Sequence, residues 1–142
     1  MSDMRRFLDG LKARIVGREA VSGQADGALA EAHVARWLRA SGVEIIEKNY
    51  SVRGGEIDLI TRDGQTLVFV EVRMRQRRDY GGAAASITPA KRRRIILAAQ
   101  HWLIAHPRHA RSACRFDVVL LKAADDATPE WLKNAFDVEG RV

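Results

Sequence analysis

Apolar positions recur along this chain with two different periods. Between Asp26 and Ala40, the residues Ala28, Leu29, Ala32, Ala35 and Leu38 return every three or four positions, which predicts a helix with one stripe of mostly small side chains. Asp26 suits an N-cap and Gly42 a stop. The pattern then tightens. Val43–Asn49 and Gly55–Thr61 read as strands separated by Arg53-Gly54-Gly55, and Asp63-Gly64 marks a hairpin turn into a third strand, Thr66–Val72. A glycine-rich loop from Gly81-Gly82 leads to Thr88-Pro89, a cap and first-turn proline for a second helix reaching about His106. Its buried face is expected to be Ile95, Ile96, Ala99, Trp102 and Leu103. Phe116–Leu121 reads as an interior strand and Trp131–Phe136 as an edge strand. The order α-β-β-β-α-β predicts an α/β domain, one sheet with helices packed on it. Residues 1–24 read as a variable N-terminal extension ending in a linker at Val21–Gln24, and 25–142 as the domain.

Two of the predicted strands carry charge where apolar residues belong. Glu56 and Asp58 sit in Gly55-Glu56-Ile57-Asp58-Leu59-Ile60; Glu71 and Arg73 sit in Val68-Phe69-Val70-Glu71-Val72-Arg73. Burying an unpaired charge is costly, so these groups need partners. Strand alternation places Glu56 with Asp58 on one face, and Glu71 with Arg73 on one face of the next strand. Mg²⁺ and Mn²⁺ favour oxygen ligands, often one or two carboxylates completed by water and phosphate. Asp58 and Glu71, with the Val72 carbonyl, supply such a set, and Glu31 joins them if its helix face turns toward the strand ends. The alternative is a structural arrangement in which Glu71 pairs with Arg73, and Asp58 with Arg53 or Arg75.

Charge sharpens this picture. The 142 residues hold 24 Lys and Arg against 18 Asp and Glu, a net charge of +6. The excess is clustered at Arg73, Arg75, Arg77 and Arg78, at Lys91, Arg92, Arg93 and Arg94, and at Arg108, Arg111 and Arg115. Clusters of this kind suit a phosphate-rich partner, although a solvated surface is their commoner use. Lys91–Arg94 open a helix, where cations oppose the macrodipole; an anionic partner would compensate them. Tyr50 and Tyr80 are candidates for stacking on bases.

These residues carry a resemblance. Gly55-Glu56-x-Asp58 followed by Glu71-x-Arg73, after a helix bearing Glu31, resembles the PD-(D/E)XK nuclease superfamily. More closely the chain resembles the bacterial YraN family, small proteins similar to archaeal Holliday-junction resolvases. Ala30-Glu31, Asn49-Tyr50, Lys91-Arg92-Arg93, Arg115-Phe116-Asp117-Val118 and Asn134-Ala135-Phe136 belong to the same likeness, which spans about Gly27 to Phe136. The resemblance implies a restriction-endonuclease-like core with a mixed central sheet. It also implies Asp58 and Glu71 as ligands of Mg²⁺ or Mn²⁺, Glu31 as an accessory acid, and residue 73 as the fourth catalytic position. The superfamily usually has lysine there. Arg73 keeps the charge but does not shed its proton near neutral pH.

The expectation is therefore a metal-dependent endonuclease acting on structured or branched DNA. Asp58, Glu71, Arg73 and Glu31 would be catalytic, Glu56 a further metal-side acid, and Arg75, Lys91, Arg92, Arg93, Arg94 and Tyr50 would hold nucleic acid. Its alternative is a nucleic-acid-binding or assembly module that kept the fold and lost the chemistry. A homodimer is expected by analogy with resolvases. Cys114 is the single cysteine, which fits a cytoplasmic protein, and no apolar run approaches the ~20 residues that span a bilayer. His101, His106 and His109 do not share one helix face and are not expected to bind zinc; Asp117 is expected to be structural.

Overall fold

The computed structural model describes residues 18–75 and 87–142, except for the side chains of residues 18–24. Residues 1–17 of the expected N-terminal extension and the Gly81-Gly82 loop, with Arg77, Arg78 and Tyr80, lie outside the described residues. Helix α1 spans Arg18–Ala40, strand β1 Glu44–Val52, β2 Gly55–Asp63 and β3 Thr66–Met74. Helix α2 spans Pro89–Ala105, β4 Cys114–Leu121 and β5 Glu130–Phe136. The sheet order is β1-β2-β3-β4-β5. The pair β3–β4 is parallel and the other three are antiparallel, so the sheet is mixed, as expected.

The expected linker at Val21–Gln24 is helical: α1 starts at Arg18 and runs through it. One glycine costs a helix only ~1 kcal/mol, which the surrounding helix-forming residues offset. The helix ends as expected. Gly42 has φ 90, its amide donates to Arg39 O, and the Val43 amide donates to Leu38 O. That pair of bonds closes the last turn and brings Val43 against the buried Leu38.

Each face of the sheet carries a helix. Ala30, Val34, Ala35 and Leu38 of α1 pack on Leu59, Val68, Val70, Val119 and Leu121. Ile95, Ala98, Ala99 and Trp102 of α2 pack on Ile57, Ile60, Leu67, Phe69, Phe116, Val118 and Leu120. The stripe of α1 is rotated from the one expected, because Leu29 is exposed and Ala30 is buried. The larger Val34 and Leu38 set the buried line, four residues apart. Glu31 lies three and four residues from Val34 and Ala35, and so borders the packed face.

At the far side of the sheet Asp117 is fully buried, as a structural residue. It accepts hydrogen bonds from Arg115 Nε at 3.0 Å, Trp131 Nε1 at 2.8 Å and the Asn134 amide at 2.9 Å, tying β5 to β4. Arg115 also reaches Asp63 at 2.8 Å. Among the described residues no helix is long and apolar enough to cross a membrane.

Candidate functional site

The site forms where β2 and β3 part. Their ladder runs from Asp63↔Thr66 to Leu59↔Val70 and goes no further. Beyond it, the Val72 amide donates to Asp58 Oδ2 at 2.8 Å, so a side chain replaces the strand partner. Simple alternation fails at the same point. Ile57 packs against α2, while Leu59, two residues on, packs against α1. Across the pair, Lys48 faces Leu59 and Tyr50 faces Ile57, which leaves Asn49 opposite Asp58. Asn49 has φ 54, a left-handed conformation that asparagine tolerates better than most residues. A local kink therefore lies between Ile57 and Leu59, while Glu56 and Asp58 line one cleft.

Four carboxylates converge there from three elements. Glu71 is buried on β3. Burial, then the nearby charge of Asp58, pushes its pKa up to about 8, with Lys91 working in the opposite direction. Burial also raises Asp58, partly offset by the hydrogen bond from Val72. Glu31 reaches the cluster from α1, and its carboxyl is raised to about 7 by burial and then by Asp58, while a hydrogen bond with Asn49 pulls it down. Glu56 is held below its usual range, chiefly by its hydrogen bond with Lys91. Glu71 Oε2 is buried and makes no hydrogen bond. A small cleft of about 90 Å³ opens beside Asp58, lined by Asn49, Tyr50, Ser51, Glu56 and Ile57.

The cation that answers this charge is Lys91, at the third position of α2. Its Nζ lies 2.9 Å from Glu56 Oε1 and 3.5 Å from Glu71 Oε1. Burial works against its charge, but Glu71, Glu56 and Asp58 outweigh that and raise its pKa. The close seating of α2 on β2 makes this reach possible. Gly55 has no side chain, and a Cβ there would stand 2.5 Å from the Arg94 carbonyl. Thr88 Oγ1 accepts from the Lys91 amide at 3.1 Å and fixes the helix start.

The structure separates the remaining candidates. Arg73 is half-buried on β3, two residues beyond Glu71, beside Leu120 of β4. Arg75 is at the strand end and pairs with Glu130 at 3.0 Å. Lys91 turns inward, whereas Arg93 and Arg94 are exposed. Arg92 donates to the carbonyls of Gly140 and Ile87, which assigns it to holding the C-terminal turn against the start of α2. Tyr50 is half-buried, packed beside the α2-side core and lining the cleft. Sequence reasoning placed Lys91 with the phosphate-binding run and gave Asn49 no role in the site. Their traces in the sequence, a cation at an unfavourable helix position and an asparagine within a strand, do not single either residue out.

Residues 30–121 match the model of the uncharacterised protein family UPF0102, a span that holds Glu31, Asn49, Glu56, Asp58, Glu71 and Lys91. The chain belongs to this family. It is the YraN family that the sequence resembles. A UPF0102 protein of Dechloromonas aromatica is 54% identical over 115 residues, covering 81% of this chain and 91% of the relative. One from Cupriavidus taiwanensis is 53% identical over 120 residues, covering 83% and 87%. One from Aeromonas hydrophila is 52% identical over 102 residues, covering 71% and 76%. The family's span begins one residue before Glu31 and ends with β4, so it contains both helix-borne members of the site, Glu31 and Lys91.

Proposed function

We propose that this family member is a metal-dependent endonuclease that hydrolyses a phosphodiester in structured or branched DNA. The observation that carries this reading is the meeting of half-buried Asp58 and Lys91 with buried Glu71 at the parting of β2 and β3. A stability role explains it poorly, because burial works against the charged form of both crowded carboxylates and raises the pKa of each. Among the described residues no three Asp, Glu, His or Cys side chains form a ready cage for a metal. The donor set fits Mg²⁺ or Mn²⁺ bound in their usual open manner, by one or two carboxylates with water and substrate phosphate completing the shell. Asp58 and Glu71 would hold the ion, and the buried, unpartnered Glu71 Oε2 is an oxygen waiting for a donor or a cation. Such an ion lowers the pKa of bound water and offsets charge on a reacting phosphate.

The chain's own residues do the rest. Asp58 is locked in place by the Val72 amide. Glu31 borders it from α1 as the accessory acid. Lys91 brings to the site the positive charge that the resemblance assigns to residue 73, with Arg73 two residues beyond Glu71 as a further cation. Exposed Arg93 and Arg94, with Arg75 and Tyr50, would guide the strand, through contacts that weaken steeply with salt. A homodimer on a two-fold substrate, in the cytoplasm, goes with this reading.

Purified protein incubated with labelled duplex, single-stranded, flap and four-way DNA tests it. Cutting is expected with Mn²⁺ or Mg²⁺, not with EDTA, and is expected to be lost in Asp58→Asn. Cutting that survives Asp58→Asn would remove the site assignment. Binding without cutting by the wild type, Arg73→Lys and all other variants would establish the binding module instead.

A further inference from the structure

Lys91 is oddly placed for a helix-surface lysine. At the third position of α2 its charge opposes the helix dipole, which alone would favour an acidic residue. Its side chain is only 30% exposed, and Glu71 beside it is 10% exposed. The ammonium bridges two acids of unequal depth, Glu71 within and Glu56, 47% exposed, at the mouth. It engages Glu71 at 3.5 Å, long for a hydrogen bond, and Glu56 at 2.9 Å. Glu71 Oε2 meanwhile stays without a hydrogen bond.

We infer that Lys91 is a tethered counter-ion that stands in for the divalent cation beside Glu71, and that metal binding moves it outward onto Glu56. This rests on the metal-site reading and adds a competition within it. The flexible four-carbon stem of lysine allows the shift without moving α2. Glu56 provides a second anion along the way, so the ammonium never passes through an unpaired state. The resting protein thereby avoids an uncompensated anionic pocket, and the metal must displace a charge already bound. Removing the Lys91 charge should therefore tighten metal binding, whereas a lysine that only assists the metal would give the opposite result.

Mn²⁺ titration of the full chain by calorimetry at low ionic strength, comparing wild type, Lys91→Met, Lys91→Gln and Arg108→Met, tests this. Arg108 is exposed just beyond the opposite end of α2, and its replacement controls for the loss of one positive charge. Lys91→Met and Lys91→Gln are expected to bind Mn²⁺ about tenfold tighter than wild type, with Arg108→Met unchanged. Equal or weaker binding by both Lys91 variants overturns the counter-ion role and leaves the metal site standing. An equal gain in Arg108→Met overturns it as well, as a general charge effect. No Mn²⁺ binding by any protein overturns both readings. If the Lys91 variants do not fold, the Lys91 ammonium resonance of the wild type decides. A shift and faster exchange on saturation with Mg²⁺ support release from Glu71; an unmoved resonance in the metal-saturated protein overturns it.

Discussion

Asp58 takes the backbone hydrogen bond of Val72 at 2.8 Å, one step past the last residue pair of the β2–β3 ladder. The same carboxylate therefore closes the sheet and faces the site. Asp58→Ala leaves that amide without its partner and is expected to cost about 1–3 kcal/mol. Asp58→Asn keeps an acceptor and relieves the repulsion from Glu71, so its cost should be smaller. Urea denaturation of the two variants checks the difference, and a larger loss in the asparagine variant would contradict it. Asp58→Asn is for this reason the better test of chemistry.

Stability should fall as pH rises through the neutral range. The folded pKa of Glu71 is about 8, against an ordinary value of 4.5. Below the ordinary value both folded and unfolded chains hold the proton, and the contribution to stability is fully present. Above it the unfolded chain releases the proton first, and stability is lost until the pH passes the folded value. Glu31, raised to about 7, acts in the same direction. A loss of order 1–3 kcal/mol between pH 5 and 8 is expected from Glu71. Glu71→Gln should flatten that slope. Added Mg²⁺ should raise Tm at pH 8 in the wild type and much less in Glu71→Gln, which thermal melts across pH will show.

Gly55→Ala should loosen the joint between β2 and α2. The added Cβ would lie 2.5 Å from the Arg94 carbonyl and 3.1 Å from the Ala98 amide nitrogen, both backbone atoms with little room to retreat. A loss of about 1–3 kcal/mol is expected. Lys91 would move away with the helix, so altered metal binding should accompany the lower stability in the same protein. Unchanged urea stability would mean that the helix seats less tightly than the distances indicate.

Neighbouring arginines on α2 should behave differently. Arg92→Ala removes two hydrogen bonds to carbonyls and should cost about 1–2 kcal/mol of stability. Arg94→Ala, at an exposed position, should change stability by less than about 0.5 kcal/mol. On the nucleic-acid reading it should instead lower the salt dependence of DNA binding by about one phosphate contact. Denaturation and binding titrations at several salt concentrations separate the two.

Much of the site was legible in the sequence because buried charge within an apolar run is anomalous however the chain folds. Asp58, Glu71 and Glu56 declared themselves in that way. Glu31 was conditional on the rotation of α1, and burial of Ala30 and Val34 in place of Leu29 met the condition. Asn49 was hidden because a strand pattern carries no information about one left-handed residue within it. Lys91 was hidden among four consecutive cations, which look alike until the helix phase turns one inward and commits another to Gly140.

The sequence by itself determined the elements, their order, the mixed sheet implied by its resemblance, and the strands that carry the acids. Those follow from local periodicity, turn residues and capping, which act between near neighbours in the chain. Only the tertiary structure decided which cation meets the acids. That choice depends on how far α2 slides along β2, and the slide is set by a glycine at position 55 meeting the backbone of residue 94. Contacts between residues so distant in sequence leave no period to detect, and so Lys91 became visible as the partner of Glu71 and Glu56 only once the two layers had packed.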